Sequence, residues 1–280
     1  MMSAARRFQA LDEFTQLSLE EQRRSLGDLL SSPYRDVREG VLEILSSERL
    51  KQEPEWLEAI AHEISKDPVA DPRRAVGLLA LLARYDHGLD RNFIEFGERC
   101  LSTDDSDLQY QALVFLETQN VVGDSYVEAV KRLLESDDLE VRIVAIQAVE
   151  RLAPSWALNK LESLAESAHG LEAFQILLVR LKLGDADLRA RLEPELRLKL
   201  FDGRFCYPAI QALKQYGSDQ CVDSLMHIAK SFFEEPTIRV AAAEAAAFHG
   251  SHAAIELLRK FAKKRHGNPE YAKQALGQFE

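Results

Sequence analysis

The sequence predicts an all-α chain built as an α-solenoid, a superhelical stack of about seven antiparallel helix pairs. Three observations predict it. Apolar residues recur at helical spacing in segment after segment, with no convincing run of alternating β-branched residues to mark a strand. One start pattern, in which an acid precedes a branched apolar residue and an arginine, returns about every 33 residues, within the range of helical repeats. Each return is followed by a break carrying Gly, Pro, Asp or Ser and then by a second amphipathic stretch, the order of a helix–turn–helix unit.

The clearest copy is DDLEVRIVAIQAVERLA, residues 137–153. Val141, Ala145, Ala148, Val149 and Leu152 share one helical face. Asp137 and Asp138 precede it, where carboxylates accept orphan backbone N–H groups and oppose the helix dipole. The alanines let a second helix approach closely. Arg142 lies beside the apolar face, its stem able to cover apolar surface while its head reaches a carboxylate or carbonyl of a neighbour. Such a helix cannot bury itself alone.

The other elements follow in chain order. Residues 1–29 form an N-terminal cap, with LSLEEQRRSLGDLL as a helix. First helices start at Asp36-Val37-Arg38, followed by Val41, Ile44 and Leu45, and in DPRRAVGLLALLARY, where Asp71 and Arg73 precede Val76, Leu79 and Leu82. SDLQYQALVFLE puts Gln109 in the arginine's place and keeps Ala112, Phe115 and Leu116. The copy in 137–153 comes next. GLEAFQILLVRLKLG, near residue 172, is a copy without the arginine. RFCYPAIQALKQYG keeps Ala209, Ala212, Leu213 and a closing Gly217, and Pro236-Thr237-Ile238-Arg239 precedes Ala242, Ala245 and Ala246. The arginine-equivalent positions are 38, 73, 109, 142, 206 and 239, and the double interval from 142 to 206 holds the copy near 172. The second helices are PEWLEAIAHEI, RNFIEFGERCL, DSYVEAVKRLL, PSWALNKLESLA, ADLRARLEPELRLKL, DQCVDSLMHIAKSFF and HAAIELLRKFA. Pro194 should kink or split the fifth of these. PEYAKQALGQFE, within 269–280, reads as a half-repeat cap. The repeats thus span 30–268, and no linker rich in Gly, Ser or Pro divides the chain, so 1–280 is expected to be a single repeat domain.

The starts at Val37-Arg38, Val141-Arg142 and Ile238-Arg239, with alanines following at helical spacing in the last two, resemble the HEAT-like repeat family. The likeness is to its short bacterial form, grouped with the phycobilisome-lyase-type repeats, and covers roughly residues 30 to 268. The resemblance implies the fold more strongly than a function. It implies a non-catalytic scaffold or adaptor that binds a protein or peptide on a concave face lined by second helices. The candidate contacts there are Tyr126, Lys131, Trp156, Lys160, Arg189, His227 and Lys230. Trp156 is the sharpest, because it shares its face with Lys160 and Ser163 rather than with Leu161 and Leu164, and a Trp beside a Lys is anchor chemistry. A Trp folded over the preceding helix as a packing lid is the competing reading.

Two alternatives come with the resemblance. One is a lyase-type enzyme or enzyme subunit acting on a protein-bound small molecule, although no chromophore pocket is singled out. The other is DNA binding, as in the HEAT-like alkylpurine DNA glycosylases, through KKRH at 263–266 with Arg259 and Lys260. The acidic total opposes general affinity for phosphate. The di-iron deoxyhypusine hydroxylases need several His-Glu pairs, whereas this chain has only His62-Glu63.

No metal or other cofactor is expected. His249 and His252 with Glu256 carry zinc-ligand chemistry, but Gly250 should end one helix there and Ser251 begin the next, which makes it a turn. GxxxxGK[ST], GxSxG and GxGxxG are absent. Cys100, Cys206 and Cys221 have no CxxC spacing and read as buried, reduced thiols of a cytoplasmic protein. No apolar stretch has the roughly 18 residues of a membrane span, and MMSAARRFQALDEF lacks the apolar core of a signal peptide. The net charge of −11 is unevenly spread, with 29 acids against 16 bases in residues 1–140 and 17 against 19 in residues 141–280. Asp104, Asp105 and Asp107 lead the strongest acidic stretch. Stacked turns would gather such acids into a ridge that steers a basic partner, or merely keeps the chain soluble.

Overall fold

The computed structural model describes residues 4–30, 32–44, 72–83, 91–263 and 268–279. Among the described residues every regular element is a helix and none is a strand. The chain divides into two compact units, Met1–Leu152 and Ala153–Glu280.

In the first unit the described helices are α1 (Ala4–Gln16), α2 (Leu19–Leu30), α3 (Arg35–Ile44), α4 (Pro72–Leu82), α5 (Arg91–Cys100), α6 (Ser106–Thr118), α7 (Asp124–Leu133) and α8 (Leu139–Leu152). The N-terminal cap is thus two helices. Ser18 and Glu21 form a capping box at the start of α2, the Ser18 hydroxyl and backbone N–H both donating to the Glu21 carboxylate at 2.6 and 3.0 Å. Each first helix packs on the next: α3 on α4, α4 on α6, α6 on α8. The intervening second helices α5 and α7 pack on α6 and α8, the first helices that follow them. Gly97 of α5 permits one of these approaches, since a Cβ there would lie 2.9 Å from the Phe115 ring. The second helix expected in 54–64, and His62-Glu63 with it, lies outside the described residues.

The second unit holds α9 (Ala157–Ala165), α10 (Gly170–Leu183), α11 (Ala186–Lys199), α12 (Cys206–Tyr216), α13 (Val222–Lys230), α14 (Pro236–Phe248), α15 (His252–Lys263) and α16 (Pro269–Leu276). The copy near residue 172 is α10. The same order of packing recurs, α10 on α12, α12 on α14 and α14 on α16, with α9, α11 and α13 each against the first helix that follows. Val240 to Ala247 of α14 are all buried, the mark of a helix enclosed by neighbours. Six alanines in that run keep the backbones close. Gly250, at φ +84°, ends α14: its N–H reaches Ala247 O at 2.9 Å and the Ser251 N–H reaches Ala246 O at 3.1 Å.

Two expectations are corrected here. Of the kink or split expected at Pro194, the split does not occur: α11 runs through it from Ala186 to Lys199. Leu192, Leu196 and Leu200 are buried at helical spacing on both sides of the exposed proline, and that packing outweighs the lost backbone bond. The helix expected to reach Phe233 ends at Lys230, which leaves Phe232 and Phe233 in the turn before α14.

The recurring acid and arginine divide the work at a helix start. Asp138 accepts the Glu140 and Val141 N–H groups at 2.8 and 3.2 Å. The Arg142 guanidinium donates to Ser136 O at 2.7 Å and Asp137 O at 3.1 Å, tying α8 to the turn after α7. Gln109 does the same from α6, its amide donating to Thr103 O at 2.5 Å, again six residues back. Arg239 of α14 reaches Ala229 O near the end of α13 at 3.3 Å. Arg38 and Arg73 stand in α3 and α4, and their side chains lie outside what the structure describes. Arg142→Ala is therefore expected to cost about 1–3 kcal/mol, the range for hydrogen bonds to charged groups. Urea denaturation checks this, and an unchanged midpoint would remove the role.

Candidate functional site

The candidate contacts divide once their burial is known. In the first unit Tyr126 is fully buried, which corrects the expectation that it is exposed. Tyr126, Val130 and Leu133 line the inner face of α7, and the phenol donates to Glu117 Oε1 at 2.7 Å. Burial and the Glu117 carboxylate push the tyrosine's pKa above its ordinary value. Arg151 completes this cluster, forking onto both Glu117 oxygens at 2.9 and 2.7 Å and onto Val121 O at 2.7 Å. It is a structural tie between α6, α7 and α8. Lys131, on the same helix as Tyr126, is exposed.

Asp104, Asp105 and Asp107 are all exposed, but they differ in function. Asp105 is the N-cap of α6, accepting the Leu108 N–H at 2.9 Å. Asp104 precedes it in the turn and Asp107 lies in the first turn of the helix. Arg132 of α7 donates to Leu101 O at 2.7 Å, which draws the end of α7 to the turn that carries Asp104.

In the second unit Trp156 is half-buried and stands as the residue before α9, its carbonyl accepting the Lys160 N–H at 3.1 Å. Lys160 is likewise half-buried. Arg189 is a clamp on the preceding helix: it donates to Leu181 O at 2.9 Å and Lys182 O at 3.2 Å, and its guanidinium lies 5.3 Å from the Tyr216 ring centre. These bonds and the Tyr216 ring make it a packing group rather than an open contact. His227 and Lys230 are exposed on α13. The Phe201 ring meets His227 edge-on, with 5.9 Å between centroids.

Sequence reading missed the apolar groups beside them. Leu198, Phe201, Phe232 and Phe233 are exposed by 70, 61, 86 and 102%. The available signal was the Phe-Phe pair between Ser231 and Glu234, at a place where the helical apolar period stops.

Of the zinc-like residues, His249 and Glu256 are otherwise engaged. His249 Nε2 bonds Leu213 O at 2.8 Å, and Glu256 pairs with Arg259 at 2.6 Å. Among the described residues no three His, Cys, Asp or Glu side chains gather as a metal would require. Cys100, Cys206 and Cys221 are free and buried. Of the C-terminal basic patch, residues 264–266 lie outside the described residues. Among those described, no helix is long and apolar enough to cross a membrane. No family model matches this sequence, and no curated protein matches it.

Proposed function

We propose that this chain is a non-catalytic α-solenoid scaffold of HEAT-like type that binds a protein or peptide partner through its second helices. The carrying observation is the division of labour between the two helices of a pair. Within each unit first helices pack serially on one another, and α14 is buried continuously from Val240 to Ala247. Second helices carry exposed Lys131 on α7 and His227 and Lys230 on α13, with half-buried Trp156 and Lys160 at the head of α9. Within each unit, first helices that hold the core leave the second helices available to take an extended segment. The buried free thiols support a cytoplasmic setting.

Affinity purification with wild-type protein and with Trp156→Ala as baits supplies the partner, and surface plasmon resonance then tests the reading. Trp156→Ala is expected to raise the off-rate by the equivalent of about 2 kcal/mol, the threshold of a hot spot. Asp104→Asn with Asp107→Asn is expected to slow association with a basic partner and flatten its salt dependence. Asp105 is left in place because it caps α6. An unchanged off-rate for a folded Trp156→Ala protein would remove the second-helix face from the binding site.

A further inference from the structure

Helix α11 buries one face and carries a second apolar row on the other. Leu192, Leu196 and Leu200 are buried. On the opposite side Ala190, Pro194, Leu198 and Phe201 are exposed, at steps of four, four and three residues, so they lie in one line along the helix. Phe201 follows the helix but keeps its curl, its N–H donating to Leu198 O at 3.2 Å. Leu198 and Phe201 are 70 and 61% exposed.

A row of charge runs beside the apolar one. Asp187, Arg191, Glu195 and Lys199 follow at steps of four and alternate in sign. The first three are exposed, and among the described residues none of those three has an ion-pair partner. Lys199 is half-buried, its ammonium 5.9 Å from the centre of the Phe205 ring.

Both rows are complementary to themselves when reversed. In an antiparallel pair of α11 helices related by a two-fold axis, Pro194 meets its own copy, Ala190 meets Leu198, Arg191 meets Glu195 and Asp187 meets Lys199, each contact being repeated by the symmetry. The apolar row is centred on Pro194 and the charged row midway between Arg191 and Glu195, so the two place the axis within one residue of each other. A foreign segment would have to reproduce both patterns, whereas a second copy does so by identity.

We propose that α11 is the interface of a two-fold, antiparallel self-association, in which the apolar row supplies affinity and the charged row fixes the register. The occupant is a second copy of this chain, which goes beyond the partner-binding reading above. Exposed ion pairs contribute little by themselves, and one helix against another makes a small interface, so a Kd of about 10–100 µM is expected.

Sedimentation equilibrium of the full chain from about 5 to 500 µM at low salt tests this, and a monomer–dimer equilibrium is expected within that range. Leu198→Ser with Phe201→Ser should raise the Kd by about tenfold or more. Arg191→Glu should do the same by opposing like charges, and Arg191→Glu with Glu195→Arg should bring the Kd back to within about threefold of wild type. All these positions are at the surface, and circular dichroism confirms that the variants fold. Cysteine crosslinking reads the register. Pro194→Cys stands at the axis and should give a disulfide-linked dimer under mild oxidation, whereas Ala190→Cys, about 12 Å from its copy along the helix, should not. The native thiols are buried and stay out of this reaction. Trp156→Ala should leave the Kd unchanged, so failure of this interface and failure of the α9 site are read separately. A chain that stays monomeric at the highest concentration, a dimer indifferent to the α11 changes, or a charge reversal that the second exchange does not rescue overturns the proposal. A monomer that loses partner binding on Leu198→Ser with Phe201→Ser overturns it in favour of a foreign segment on the same row.

Discussion

Glu244→Ala is expected to destabilise the protein by about 3–5 kcal/mol, the cost of removing one member of a buried ion pair. Glu244 is 4% exposed in the middle of α14. Its Oε1 takes the Lys214 ammonium of α12 at 2.7 Å and the Gln278 amide at 3.0 Å, and its Oε2 takes the Tyr271 hydroxyl of α16 at 2.8 Å. One carboxylate thus joins three first-helix positions of the stack. Alanine would take from the half-buried Lys214 ammonium and Tyr271 phenol the acceptor they share and would open a cavity as well. Because native stability is only about 5–15 kcal/mol, this single change should bring the second unit close to unfolding. Urea denaturation gives the number. Glu244→Leu combined with Lys214→Met and Tyr271→Phe is expected to recover most of the loss, since a fully apolar replacement leaves no orphan charge. A single Glu244→Ala variant within about 1 kcal/mol of wild type would mean that water, and not the protein, balances Lys214.

How such ties are distributed explains what was legible in the chain. Helix starts were legible because they depend on local chemistry: Asp138 caps α8, Asp105 caps α6, and Gly250 closes α14, each within a few residues. The substitution of Gln109 for arginine was legible too, and both side chains take a carbonyl six residues back. Long-range polar partners were not. Tyr126 looked like a contact residue because nothing in DSYVEAVKRLL tells that Glu117, nine residues earlier, waits for its hydroxyl. Its spacing to Val130 and Leu133 nevertheless marked the core face, and that signal was outweighed by the polarity of the phenol. Arg189 was read as exposed for the same reason, its carbonyl acceptors lying across a turn at Leu181 and Lys182. At Pro194 a local rule lost to tertiary packing, the leucines on either side holding α11 in one piece. The aromatic edge was hidden by the opposite error. Phe232 and Phe233 were counted as apolar residues at the end of a helix, where apolar means inside, and the turn that exposes them begins at Ser231.

Alkaline solution is expected to weaken the fold progressively from about pH 9 upward. The three thiols supply the first part. Burial raises Cys100 to about 12, Cys206 to about 11 and Cys221 to about 12 from an ordinary 9.0, with Glu234 and Glu193 adding to the last two. Below pH 9 the thiols are protonated whether the chain is folded or not, so stability is unaffected there. Above it the unfolded chain releases protons that the folded chain keeps, so unfolding is favoured by up to about 1.4 kcal/mol per pH unit for each thiol until its folded pKa is reached. Tyr126 and Tyr271 extend the decline above pH 10, since burial and their carboxylate acceptors, Glu117 and Glu244, hold both phenols above their ordinary range. Urea unfolding at about pH 7.5, 9 and 10.5 should therefore give a flat segment followed by a fall. Cys100→Ala and Cys221→Ala separate the contributions, because alanine removes the proton without adding a polar group. Each should lower stability at neutral pH, through the space it empties, and make the alkaline slope shallower. A slope that survives the loss of Cys100 and Cys221 would assign the alkaline loss to Cys206 and the tyrosines instead, and stability that stays level to pH 10.5 would show that none of these groups is held as tightly as its burial implies.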